Sequence, residues 1–121
     1  MATGSGLGRA AIHHHDSWPR LHPADFTLLS DHGVRLDWPI GYDDLRPHYD
    51  RVQAEMGIAG DAAAEVWRPP GTTYAMPPLR WFAQGDILKA GFEKIGLRVA
   101  PAPMAVMSVD GENRPACLYD D

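Results

Sequence analysis

Three consecutive histidines, His13, His14 and His15, follow alternating glycines at Gly4, Gly6 and Gly8 and precede Asp16 and His22. Residues of these types support more than one chemistry. Glycines let backbone N–H groups approach a phosphate closely. On a short extended stretch, His13 and His15 would share one side and could bite a metal ion, with Asp16 or His22 completing its shell. The same stretch could instead lie against an organic cofactor. The glycines fall short of G-x-G-x-x-G because Arg9 occupies the last position, and no strand leads into them. Structural zinc ordinarily recruits cysteines, and Cys117 lies about 100 residues away. Three histidines are also too few for a useful affinity tag, and natural-looking sequence continues from them. Cys117 itself reads by default as a lone buried or surface thiol; a catalytic role would need a His base and an activating environment.

The elements that must position these residues are few. In "GYDDLRPHYDRVQAEMGIAG", Leu45, Tyr49, Val52 and Met56 recur at helical spacing and predict a helix over about 44–56. Asp43 or Asp44 is the expected cap, Pro47 is tolerable within the first turn, and Gly57 is the expected stop. A second helix is expected over about 81–95, with Trp81, Leu88, Phe92 and Ile95 on one face and Gly96 as its end. Between them, residues 58–79 carry four prolines and no sustained period. The aromatic, proline-rich "VWRPPGTTYAMPPLRWF" reads as a lid, a peptide-recognition element, or coil laid over a neighbouring surface and anchored by Trp67, Tyr74 and Trp81. "LRVAPAPMAVMSV" reads as extended segments interrupted by prolines. The expected class is therefore α+β: two helices, short strands and long Pro-rich loops. Such a chain makes a poor core of its own, and a structureless stretch of about 20 residues counts against a complete compact domain.

Bulk properties narrow the function classes. Of 121 residues, 45% are hydrophobic and 22% charged, as in ordinary globular proteins. A net charge of -5 provides no electrostatic footprint for nucleic acid. No apolar run is long enough to span a bilayer. A single cysteine excludes an internal disulfide framework and leaves the compartment open between cytoplasm and periplasm.

Several segments, in this order, resemble one family: "GLGRAAIHH", "PRLHPADF", "DWPIGYDDLRPHYDRVQAEMGIAG", "YAMPPL", "GFEKIGLRVAPAP" and "RPACLY". They are similar to the glucose–methanol–choline flavin oxidoreductases, nearest the sugar, gluconate and polyol dehydrogenase branch. The resemblance implies FAD as cofactor and oxidation of a CH–OH carbon of an alcohol or sugar by hydride transfer to the flavin. It implies that Gly6, Gly8, His13 and His14 contact the cofactor, with His13 the candidate for a covalent bond to it. Residues 1–36 would then contact and cover the flavin, and residues 37–121 would form part of the substrate side. Arg9 and Ala10 depart from the small glycine or hydroxyl residues expected there. The Rossmann unit that binds the ADP half of FAD, and the histidine pair that serves as base and substrate anchor, are not among these residues. The expectation is an internal fragment, without catalytic residues of its own, that neither holds FAD tightly nor turns over alone. The alternatives are a non-catalytic interaction module and a histidine-based metal-binding domain.

Overall fold

Prolines set the architecture of this chain. A computed structural model describes residues 16–111 and 113–117. Four extended segments run side by side through Met76, Ala59, Met104 and Ser17 in that spatial order. Met76 pairs parallel to Ala59, Ala59 antiparallel to Met104, and Met104 antiparallel to Ser17. Ala59 and Met104 exchange both main-chain hydrogen bonds at 2.9 Å, and the Gly60 N–H donates to the Met76 carbonyl at 3.1 Å. Each pairing stays a single bridge because Pro19, Pro77, Pro78, Pro101 and Pro103 flank it and donate no N–H to extend a ladder. Among the described residues, the expected short strands amount to these isolated bridges, and the fold is mostly helical. The central segment is the tightest part: Ile58 is 0% and Ala59 1% exposed.

After a single 3-10 turn at Pro23–Phe26, α1 spans Leu28–His32 in a stretch whose sequence has little periodicity. Its start is stabilised from downstream. Asp37 Oδ1 accepts the Leu29 and Ser30 N–H groups at 2.9 and 3.1 Å. Ser30 Oγ donates to the other oxygen of the same carboxylate. Gly33, at φ +68°, ends the helix. Phe26 is buried and meets Trp38 edge-on, with ring centroids 6.1 Å apart.

The long helix α2 spans Tyr42–Met56, starting two residues before the predicted boundary. Gly41 is extended, and its N–H donates to Asp44 Oδ2 at 2.8 Å, so the acidic cap reaches back from the third helical position. Pro47 consequently lies in the second turn, not the first. Its missing N–H leaves the Asp43 carbonyl without a helical donor, at an exposed position where water can serve. Gly57, at φ +73°, provides the expected left-handed stop.

Helix α3 spans Ala83–Lys94, inside the predicted 81–95, and Gly96 follows at φ +82°. None of its side chains is buried. Trp81 closes back over its first turn: a Cβ on Gly85 would come within 2.8 Å of the indole, and Lys89 Nζ lies 5.5 Å from that ring's centroid.

Candidate functional site

The periodicity of α2 predicts that Leu45, Tyr49, Val52 and Met56 face inward. Instead, Met56 is 42% exposed, whereas Tyr42 and Gln53 are buried. The buried seam is polar. Into it runs Arg20, 7% exposed, from the segment that follows the histidines. Arg20 Nη1 donates to the Tyr42 hydroxyl at 3.2 Å, and Nη2 donates to Asp50 Oδ1 at 2.6 Å and Gln53 Oε1 at 2.8 Å. Its guanidinium also lies 5.4 Å from the Tyr49 ring centroid.

Each partner of Arg20 is fixed in turn by the 70–73 segment. Tyr42 donates its hydroxyl proton to the Pro70 carbonyl at 2.6 Å. Asp50 Oδ1 accepts from the Thr72 N–H at 3.0 Å and from Thr72 Oγ1 at 3.1 Å. Gln53 Nε2 donates to the Thr73 carbonyl at 2.8 Å. Gly71 passes so close that a Cβ there would lie 2.0 Å from Arg20 Nη1. A neighbouring cluster continues the network: Tyr74 donates to Glu65, and Arg68 Nε donates to the Tyr74 hydroxyl at 3.2 Å. Burial and the Glu65 carboxylate push the Tyr74 phenol up to about 12, against the opposing effect of Arg68. Tyr74 is thus an internal anchor of the proline-rich middle, while Trp67 is 44% exposed.

Burial alone would raise the Asp50 carboxyl. The Arg20 hydrogen bond, the two from Thr72 and the Arg20 charge outweigh it and hold the carboxyl below the ordinary carboxylate range. A carboxyl depressed in the folded state contributes stability that is complete above its unfolded value, about 4, and is lost as pH falls through its lower folded value. Acid unfolding monitored by circular dichroism should therefore show a larger loss below about pH 4 in the parent than in the Asp50→Asn variant. Identical acid profiles for parent and variant would disprove the coupling.

Beside this node, and sharing Tyr49 with it, α2 carries a shallow apolar groove lined by Trp18, Leu45, His48, Tyr49 and Val52. Gly6, Gly8, His13 and His14 lie outside the described residues, as do His15 and the short extended stretch expected to carry His13 and His15. Among the described residues, no group of three or more His, Cys, Asp or Glu is placed to hold a metal ion, and no helix is long and apolar enough to cross a membrane. Cys117 is exposed. Among the described residues, two buried donors, Trp18 Nε1 and Arg20 Nε, have no hydrogen-bond partner. Trp18 Nε1 lies four residues after His14, and a group rich in acceptor atoms, as a flavin nucleotide is, would meet that demand, whereas Arg20 Nε is enclosed within the chain.

The chain is similar to oxidoreductases that act on alcohols and sugars. It is 31% identical over 118 residues to the fructose dehydrogenase large subunit of Gluconobacter japonicus. It is 28% identical over 114 residues to 2-methyl-1,2-propanediol dehydrogenase of Mycolicibacterium austroafricanum, and 29% identical over 122 residues to 6'''-hydroxyparomomycin C oxidase of Streptomyces lividus. These alignments cover 93–98% of this chain and 21–22% of each relative. The chain thus spans about a fifth of the length of the curated relatives it matches. No family model matches it.

Arg20, Asp50 and Gln53 were not singled out by sequence reasoning. The available signal was a second stripe on the same helix: Tyr42, Tyr49 and Gln53 also follow helical spacing, with polar tips in place of an apolar edge.

Proposed function

We propose that this chain is the flavin-contacting and substrate-side portion of an FAD-dependent oxidoreductase of the glucose–methanol–choline type, acting on CH–OH groups of sugars, polyols or related alcohols. The single observation that carries this reading is the set of oxidoreductase relatives matched along nearly the whole chain. Their greater length supports placing these residues inside a larger enzyme. So does the exposed apolar face of α3, where Ile87 and Ile95 are 73% and 72% exposed and Leu88 and Phe92 lie beside them.

In this reading Gly6, Gly8, His13 and His14 contact the cofactor, residues 1–36 cover it, and residues 37–121 belong to the substrate side. FAD, when bound, supplies the acceptor for the hydride leaving the alcohol carbon. The described residues hold and orient: Arg20 ties the covering segment to α2, and the Ala59–Met104 pairing gives both a common floor. The general base and the dinucleotide-binding unit belong to other parts of the polypeptide. The 121-residue chain alone should hold no FAD through gel filtration. The longer polypeptide should elute yellow and reduce a dye acceptor when offered a panel of sugars and polyols. A colourless longer polypeptide, or one that oxidises none of the panel, defeats the proposal.

A further inference from the structure

Residues 16–20 are held to the body of the fold at three points. The Ala105 N–H donates to the Asp16 carbonyl at 2.7 Å, and the Trp18 N–H donates to the Pro103 carbonyl at 2.9 Å. Two residues on, Arg20 reaches Tyr42, Asp50 and Gln53 from a side chain that is almost wholly inaccessible. A position that only needed filling would be served as well by an apolar residue, because a buried ion pair is often no more stabilising than its hydrophobic replacement. What the guanidinium adds is register. A slip of one residue would bring Pro19 or Leu21 against the Asp50 and Gln53 oxygens, and neither side chain can donate a hydrogen bond. The acceptors are preset, since the 70–73 segment fixes each of them, and Gly71 leaves open the volume that the guanidinium fills.

We propose that Arg20 is a positioning residue for the cofactor: its bonds to Tyr42, Asp50 and Gln53 set the register from which the glycine–histidine stretch runs to the flavin. This inference rests on the flavin reading above. Arg20 acts through the backbone of residues 16–20.

The test uses the longer polypeptide with its flavin, as parent, Arg20→Lys, the apolar pair Arg20→Met/Asp50→Leu, and Arg51→Lys as a surface control. Arg51 is exposed and bonded only to Glu55 among the described residues. Three quantities are read: FAD affinity by titration of the flavin-free form, visible circular dichroism of bound flavin, and thermal unfolding of the flavin-free form. Lysine keeps the charge, but its single nitrogen cannot take both the Nη1 position at Tyr42 and the Nη2 position at Asp50 and Gln53, so Arg20→Lys should bind FAD about tenfold more weakly, with an altered visible spectrum. The apolar pair should lose at least as much affinity while melting close to the parent, a separation that a purely stabilising role would not produce. Arg51→Lys should match the parent throughout. Parental FAD affinity in Arg20→Lys or in the apolar pair, or affinity losses that simply track melting, overturns the inference alone. A parent that binds no FAD overturns the flavin reading and the inference with it.

Discussion

Truncating Arg20 to alanine is expected to destabilise the folded chain by about 3 kcal/mol, measured by denaturant unfolding of the purified protein. Two losses combine. Asp50 and Gln53 keep their contacts to residues 72 and 73 but lose the charged donor between them. Charge-assisted hydrogen bonds of this kind are the stronger class. The aliphatic stem and guanidinium also fill a site whose walls are Tyr42, Tyr49 and Gly71, and alanine leaves a void there. The exposed pair Arg51–Glu55 on the same helix provides the contrast. Its bond is equally short, at 2.7 Å, but removing it should cost less than about 1 kcal/mol. Equal costs at the two positions would mean that burial of Arg20 contributes nothing.

The second large effect is expected at Gly71. Its backbone is not in the left-handed region, so conformational freedom does not explain the glycine. Space does. An alanine Cβ would stand 2.0 Å from Arg20 Nη1 and 2.8 Å from both Arg20 Cζ and Asp50 Oδ1. The end of an arginine is ordinarily free to swing aside, but here three hydrogen bonds hold it. Gly71→Ala should therefore cost about 2 kcal/mol as the guanidinium is driven from its partners. NMR titration of the variant should find the Asp50 carboxyl returned towards the ordinary carboxylate range. An unchanged melting temperature together with an unchanged Asp50 titration would show that the segment can yield.

The sequence disclosed helices through their periods and terminators. Gly57 and Gly96 marked both long helices correctly, because a left-handed stop is a local property of one residue. The start of α2 was misplaced for an equally local reason: Asp44 caps from inside the helix, while Gly41, which has no side chain, occupies the boundary. Helix α1 escaped notice because its N-terminal acceptor is Asp37, beyond its own C-terminal end. The extended segments were legible as extended, but their pairing order joins residues 17, 59, 76 and 104, which no local pattern can report. The Arg20 node was hidden for the same reason. Its bonds cross 22 to 33 residues of sequence, and its chemistry looks in one dimension like ordinary surface charge. The glycine–histidine stretch drew attention through residue type alone, and its assignment rests on resemblance.

Helix α3 has a different character from α2. It is 12 residues long, contains Gly85 and Gly91, and buries none of its side chains. Isolated helices of about that length are marginal in water even when built from strong formers, and each interior glycine costs up to about 1 kcal/mol. Little beyond the indole lid of Trp81 and its own hydrogen bonds keeps it wound. Unless a surface covers Ile87 and Ile95, these turns should therefore be the first among the described residues to unravel.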